Sequence, residues 1–118
     1  MNTKIQGLIG EKLAEEYLKE KRYTILERNY RTKIGEIDLI AGTETEIIFL
    51  EVKYWKKIKW EELGYSVNKI KQNRIKTVSK QYLSYHSEYS DKSIRFDIIF
   101  INEEAQIRHL KNAFSECL

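Results

Sequence analysis

Two apolar runs joined by a short polar connection contain charged residues where a buried strand would need apolar ones. The stretch GEIDLIAGTETEIIFLEVKYW, residues 35–55, has Asp38 inside the first run and Glu51 and Lys53 inside the second. Charged side chains are almost never fully buried unless they are paired or bound to something. In the folded protein these three charged side chains therefore need partners or a bound ligand.

Composition predicts one soluble globular domain spanning residues 1–118. The chain is 42% apolar and 33% charged, which is typical of a folded protein rather than a disordered one. No apolar run approaches the roughly 20 residues of a transmembrane helix. The first residues, MNTKIQGLIGEKL, lack the apolar core of a signal peptide. We therefore expect a cytoplasmic protein that does not contact a membrane.

Few residues are available for a thiolate or imidazole metal site. Cys117 is the one cysteine, which excludes an internal disulfide and argues against a zinc cluster. His86 and His109 are the two histidines, so a histidine-based metal site is not expected either.

Basic residues are concentrated in two segments although the formal net charge is only +3. Such clusters suit a polyanionic partner such as nucleic acid. A charged loop followed by a solvated helix face is the alternative. The clustered residues are Lys53, Lys56, Lys57 and Lys59 in the first segment, and Lys69, Lys71, Arg74, Lys76 and Lys80 in the second.

Hydrophobic periodicity predicts an alternation of helices and strands. We expect helices over residues 5–21 and 67–85, and strands over residues 23–30, 36–41, 47–54, 94–101 and 106–110. In the first helix, Glu11 shares one narrow stripe with Gly7, Ala14 and Leu18. Glu11 is therefore expected to point toward whatever that helix packs against, either into a site or at the rim of the apolar stripe.

A hairpin connects the second and third predicted strands. If residues 43–46 form a four-residue loop, Gly42 lies opposite Ile47, and counting back places Asp38 opposite Glu51. Directly opposed residues have Cβ atoms about 4.5–5.5 Å apart on one face of a sheet. A slip by one residue would place the two acids on opposite faces, so the register is a testable expectation.

Two carboxylates that close together repel each other unless a positive charge lies between them. Mg²⁺ would suit this position, because it prefers oxygen ligands and keeps several of its waters. In the same register Lys53 lies on the face of Glu51 and opposite Glu36. A plain cross-strand ion pair, of Lys53 with either Asp38 or Glu36, remains an equally good interpretation of the bare pattern.

An acid followed on the next strand by Glu-x-Lys resembles the PD-(D/E)XK nuclease superfamily. The whole chain resembles the YraN family, a group of small, bacterial, endonuclease-like proteins. The matching segments are GEKLAEEYL (10–18), ERNYR (27–31), GEIDLIA (35–41), FLEVK (49–53), the helix with Val67, Lys71 and Arg74, and RFD (95–97).

The resemblance implies an α/β fold with a restriction-endonuclease-like αβββαβ core, whose mixed, mostly antiparallel sheet is flanked by helices. It also implies that Asp38, Glu51 and Lys53 are catalytic. Glu11, Asp38 and Glu51 would bind Mg²⁺ or Mn²⁺, and Lys53 would orient a water or stabilise the transition state. The implied activity is metal-dependent endonucleolytic cleavage of DNA, with branched structures such as junctions as candidate substrates.

The expected contacts to DNA come from Lys56, Lys57, Lys71 and Arg74. Two tryptophans near these lysines, Trp55 and Trp60, are compatible with stacking on unpaired bases and equally with anchoring a loop.

Other functions remain open from the sequence alone. A nucleic-acid-binding module with the nuclease fold but no activity is the main alternative. A structural partner protein, with Tyr82, Tyr85 and Tyr89 as its interface, is another, and a homodimer is compatible with either. Arg95 and Asp97 would either support the site from a neighbouring strand or form a structural ion pair.

Overall fold

The computed structural model describes residues 3–55 and 68–114. Two helices and five strands make up most of this part of the chain, and each corresponds to a predicted element with ends shifted by one or two residues. They are α1 (Thr3–Glu20), β1 (Thr24–Arg31), β2 (Glu36–Gly42), β3 (Glu46–Trp55), α2 (Lys69–Ser84), β4 (Ser93–Asn102) and β5 (Ile107–Leu110), with a short 3₁₀ turn at Ser87–Tyr89. In these described ranges, no helix is long and apolar enough to cross a membrane.

The five strands form one sheet in the order β1-β2-β3-β4-β5. All neighbouring strands are antiparallel except β3 and β4, which are parallel and are connected through α2. A parallel pair needs such a crossover because the chain must return to the same end of the sheet. The predicted fold class is confirmed: an α/β protein with αβββαβ order and a mixed, mostly antiparallel sheet flanked by helices.

Each face of the sheet is covered by one helix, because side chains alternate between faces along a strand. Ala14 and Leu18 of α1 pack on one face, and Ile75, Val78 and Tyr82 of α2 pack on the other. Burying side chains of the larger of these types stabilises the fold by roughly 1.5–3 kcal/mol each. The strand residues facing α1 include Leu39, Ala41, Ile48, Leu50, Ile99 and Ile101; those facing α2 include Ile40, Ile47, Phe49, Phe96, Ile98 and Phe100.

The β2–β3 hairpin has the predicted register. Gly42 pairs with Ile47, and the pairing continues back to Leu39 opposite Leu50. The connecting loop is closed by Thr43, whose N–H donates to the carbonyl of Glu46 at 2.9 Å and whose hydroxyl accepts from the Glu46 N–H at 3.0 Å. The register counted from the sequence is therefore confirmed, although β3 already begins at Glu46, so that three residues and not four lie between the strands.

Beyond Leu39 and Leu50, strands β2 and β3 are no longer paired. Strand β2 instead stays with β1 as far as Glu36, which lies opposite Arg31, while β3 stays with β4 to its end. The expectation that Glu36 lies opposite Lys53 is therefore wrong, because the β2–β3 ladder ends before reaching them. The divergence leaves a gap in the sheet, and the candidate acids lie at its start.

Gly10 allows α1 to approach β3 closely at this end of the sheet. A Cβ atom added to Gly10 would lie 3.3 Å from a ring carbon of Tyr54, tighter than most side-chain contacts. A larger residue would push the helix away from the strand. Because Glu11 is the next residue, the small size of Gly10 helps to set its distance from the sheet.

Candidate functional site

Asp38 is held at the point where β2 and β3 diverge. Its Oδ2 atom accepts a hydrogen bond from the backbone N–H of Val52 at 2.8 Å. This bond replaces the strand-to-strand bond that the ended ladder no longer supplies, and it fixes the carboxylate beside Glu51. The two acids are therefore neighbours, as the hairpin register predicted.

The surroundings of Asp38 disfavour the negative charge of its own carboxylate. Burial raises its pKa, and repulsion from Glu51 and Glu11 adds to this effect, so that the pKa is about 7 although the Val52 N–H acts in the opposite direction. Repulsion among acids held this close is relieved by a positive charge placed among them. The group therefore needs positive charge beside it.

Glu51 is buried, with 6% of its surface exposed, and two ammonium groups approach it. The Nζ atom of Lys71 lies 2.5 Å from Glu51 Oε1, and that of Lys53 lies 3.5 Å from the same oxygen. Lys53, expected as a catalytic residue, is thus directly beside the acid of its own strand.

The two lysines respond differently to these surroundings. Burial lowers the pKa of Lys53, and the nearby charge of Lys71 lowers it further against the opposing effect of Glu51. Burial alone would also lower the pKa of Lys71, but its hydrogen bond and charge interaction with Glu51 outweigh burial and raise it. Lys71 is therefore the more firmly charged of the two lysines.

The start of α2 determines where Lys71 lies. Asn68 caps the helix, and its side-chain oxygen accepts from the backbone N–H of Lys71 at 2.9 Å. An Asn cap satisfies a backbone donor that the first helical turn leaves free. The cap fixes the Lys71 backbone at the mouth of a cleft lined by Gly35, Glu36, Glu51, Asn68, Ile70, Lys71, Arg74 and Ile75.

Glu11 reaches this region from α1. Burial raises its pKa, a hydrogen bond with the Asn29 side chain lowers it, and the charges of Glu36 and Glu51 raise it again. Asn29 has a backbone φ of 50°, in the left-handed region that Asn tolerates better than most residues. The sequence analysis did not single out Asn29; the signal that could have found it was an Asn inside the strand motif ERNYR.

The carboxylates of Glu11, Asp38 and Glu51 fit a hard divalent cation by chemistry, since every donor is oxygen. In residues 3–55 and 68–114, however, no three Asp, Glu, His or Cys side chains form a metal-binding group as they stand. The positive charge next to Glu51 is instead supplied by Lys71 and Lys53. A metal bound to Glu51 would have to share this carboxylate with the two lysines or displace one of them.

Of the three other residues expected to contact DNA, Arg74 lies within the described part of the chain. Arg74 is exposed and lines the same cleft as Lys71, one turn further along α2. Lys56, Lys57 and Trp60 lie outside the described residues, as does the side chain of Trp55. The structure thus brings two of the four proposed phosphate contacts together beside Glu51.

Arg95 and Asp97 form an ion pair on the face of the sheet that packs against α1. Asp97 is fully buried, and the Arg95 guanidinium donates to both of its oxygens at 2.9 Å. His109 Nε2 lies 2.7 Å from Asp97, and the N–H of Asn112 donates to it at 2.9 Å. Because an ionised carboxylate only accepts, Nε2 carries the proton.

This arrangement supports the structural interpretation of Arg95 and Asp97 over a role at the cleft. Burial would raise the pKa of Asp97, but the bonds from His109, Arg95 and Asn112 outweigh it and lower the pKa. His109, a member of this network, was not predicted as such from the sequence.

The three tyrosines proposed as an interface do not share one surface. Tyr82 is buried and packs edge-to-face on Tyr30 and Phe49, whereas Tyr85 is 72% exposed and Tyr89 is half-buried. Tyr82 is thus a core residue.

Comparison with known proteins places the chain in a family. The model of the Uncharacterised protein family UPF0102 matches residues 10–101. UPF0102 proteins from Alkaliphilus oremlandii and Clostridioides difficile are 46% and 45% identical to it, each over 97% of this chain and 100% of their own length. One from Treponema denticola is 40% identical over 94% of this chain and 95% of its own.

Among solved structures, Pyrococcus furiosus SfsA in complex with Ca²⁺ is similar over 93% of this chain and 64% of its own. The identity is 14% and the TM-score 0.38. The family match over most of the chain, together with relatives above 40% identity at nearly full length, means that this protein belongs to the family UPF0102, the YraN family.

Proposed function

We propose that this protein is a metal-dependent endonuclease that hydrolyses phosphodiester bonds of DNA. The observation on which the proposal rests is the concentration of Asp38, Glu51 and Lys53 at the point where β2 and β3 diverge. Asp38 is fixed there by the Val52 N–H, and Lys53 lies 3.5 Å from Glu51. Acids that repel each other beside a lysine, grouped at the edge of a cleft, are typical of a functional site.

Charge supports a polyanionic substrate for this cleft. Lys71 and Arg74 line it together beside Glu36 and Glu51, and their positive charges would attract a phosphate. The family resemblance and the αβββαβ fold favour DNA as that substrate.

Each residue has a separate role in the proposed reaction. Asp38 and Glu51, with Glu11 beside them, are the groups that would hold Mg²⁺ or Mn²⁺. When bound, such an ion lowers the pKa of a coordinated water and neutralises charge on phosphate oxygens. The Lys53 ammonium is near enough to Glu51 to orient the attacking water or to stabilise the negative charge that develops on the phosphate.

A nucleic-acid-binding module without activity is the second candidate, and one observation favours it. Lys71 and Lys53 both neutralise Glu51 in the absence of any metal. A module that uses the cleft only to bind phosphates could keep this ion-paired state permanently. The two candidates therefore differ in whether Glu51 ever exchanges lysine for a metal ion.

A cleavage assay with matched variants separates them. Purified protein is incubated with single-stranded, duplex, flap and four-way-junction DNA in Mg²⁺, Mn²⁺ or EDTA. We expect metal-dependent cleavage that Asp38→Asn, Glu51→Gln and Lys53→Ala each reduce to the EDTA background. Lys80→Ala, an exposed change elsewhere on α2, is the control for the removal of one charge.

Thermal unfolding with and without Mn²⁺ provides a readout that does not depend on activity. A ligand that binds only the folded state stabilises it in proportion to the logarithm of concentration over dissociation constant. Wild type and Lys53→Ala should be stabilised by Mn²⁺, whereas Asp38→Asn should not. If wild type shows neither a Mn²⁺ shift nor cleavage of any of the four DNAs, the binding module is the better description.

A further inference from the structure

Lys71 occupies an unusual position for a residue expected to contact DNA. Its ammonium is 2.5 Å from Glu51 Oε1, closer than Lys53, which lies 3.5 Å from the same atom. Its side chain is nevertheless 42% exposed, compared with 24% for Lys53 and 7% for Glu51. Lys71 is thus paired with the buried acid at one end and open to the cleft along its stem.

The ion pair and a metal ion compete for the same oxygen. A charge-assisted hydrogen bond from an ammonium to a carboxylate is about twice as strong as a neutral one. Oε1 of Glu51 is not free to bind a cation while Lys71 lies at this distance, and the ammonium charge repels a cation that approaches the other oxygen. The apparent affinity for a metal is then reduced by the fraction of molecules in which the pair is formed.

A phosphate in the cleft competes for the other partner. Lys71 and Arg74 line the cleft together, and the Lys71 side chain is 42% exposed while its backbone is anchored by the Asn68 cap. Lys53 lacks this freedom because it is more buried and lies in β3 itself. A phosphate that attracts the Lys71 ammonium frees Glu51 for a cation.

We infer that Lys71 is an internal counter-ion that couples metal binding to nucleic-acid binding in this cleft. Without nucleic acid it neutralises Glu51 and weakens metal binding. With a phosphate backbone in the cleft the Lys71 ammonium pairs with the phosphate, and Glu51 would then be free to hold a divalent cation. The coupling is reciprocal, because each ligand must raise the affinity for the other by the same factor.

This inference rests on the proposed function, because it assumes that Glu51 is a metal ligand. It goes beyond it by assigning a regulation to the site: the metal is bound firmly only when a polyanionic backbone is present. Lys71 is a positioning residue here, since it acts on the metal through Glu51.

The experiment measures Mn²⁺ affinity by calorimetry, first without DNA, for wild type, Lys71→Met and Lys69→Met. Lys69 is the matched control, because it is an exposed lysine in the same helical turn that does not line the cleft. Met preserves helix propensity and chain length while removing the ammonium. Lys71→Gln repeats the test with a polar side chain, and circular dichroism verifies folding of every variant.

We expect Lys71→Met to bind Mn²⁺ about tenfold more tightly than wild type. This is the change expected if the Lys71–Glu51 ion pair is formed in about nine of ten wild-type molecules and leaves the remaining one able to bind. Lys69→Met should remain close to wild type. A second series adds a short DNA duplex, with every protein in the Lys53→Ala background so that the duplex stays intact. DNA should then strengthen Mn²⁺ binding when Lys71 is present and have little effect when it is Met.

Equal Mn²⁺ affinities for Lys71→Met and Lys69→Met would overturn the inference, because general charge removal would then explain any change. Unchanged or weaker binding by both Lys71 variants would overturn it as well. In either case wild-type Mn²⁺ binding and cleavage would leave the proposed function intact. Absence of Mn²⁺ binding in wild type and in all variants, with or without DNA, would reject the proposed function and this inference together.

Discussion

Two aspartates, Asp97 and Asp38, lie on opposite faces of the same sheet, and they differ in how completely their charge is balanced. On the face toward α1, Asp97 receives hydrogen bonds from Arg95, His109 and the Asn112 backbone. On the face toward α2, Asp38 has one backbone donor and lies among other acids. The pKa of Asp97 is lowered, whereas that of Asp38 is raised to about 7.

The comparison shows that burial of a charge does not by itself mark a functional site. Asp97 is the more buried of the two acids, yet each of its oxygens has partners and nothing further is required. Asp38 is held in place, and the charge of Lys71 offsets its repulsion from Glu51 and Glu11 only in part, since the pKa of Asp38 stays raised. Repulsion that the fold retains in this way is more typical of a functional site than of a structural one.

The largest expected effect is the difference in stability between two aspartate-to-asparagine variants, Asp97→Asn and Asp38→Asn. Asp97→Asn removes the carboxylate that Arg95 and His109 bind and leaves Arg95 with Glu46 alone, and breaking a buried ion pair in this way costs about 3 kcal/mol. Asp38→Asn should leave the free energy of unfolding unchanged or slightly raised, because repulsion is relieved. Urea unfolding at neutral pH without added metal measures both. Equal destabilisation by the two substitutions would show that Asp38 is as structurally important as Asp97.

The pH dependence of stability provides a smaller effect at Asp97. Its pKa in the folded protein lies below the unfolded value of about 3.9, so its stabilising contribution is complete above that pH. The contribution is lost as pH falls through the lower folded-state pKa. Wild type should therefore lose stability more steeply than Asp97→Asn below about pH 4, where the unfolded carboxyl titrates. Parallel unfolding profiles of the two proteins from pH 7 to acid would contradict this.

The smallest expected effect compares two exposed cations, one near each acidic group. Arg74 lines the cleft beside Glu51, and Lys111 lies near His109. Arg74→Ala should weaken DNA binding several-fold and reduce the slope of log affinity against log salt by about one. Lys111→Ala removes the same charge and should change neither. Fluorescence anisotropy in EDTA at several salt concentrations makes the measurement, and equal slopes for the two variants would place the phosphates outside the cleft.

Much of the scaffold follows from local sequence. Alternation of apolar residues in β2 and β3, with a loop of residues 43–46, was enough to establish the register in which Gly42 pairs with Ile47 and the two acids come together. The helices and strands were predictable for the same reason: their periodicities of 3.6 and 2 residues are carried by residues close in the chain. Glu11 was predicted to face inward from its stripe on α1, and it interacts electrostatically with Glu51.

The partners of the acids were decided only by the tertiary structure. Lys71 is 20 residues from Glu51 in sequence, and His109 is 12 residues from Asp97, so no local pattern indicates either contact. The end of the β2–β3 ladder, which left Glu36 with Arg31 instead of Lys53, depends on β1 and β4 holding the two strands apart. Sequence periodicity determines which face of the sheet a residue occupies, but the partner it contacts there depends on how distant elements pack. That packing gives Asp97 a full set of hydrogen-bond donors and leaves Asp38 among other acids.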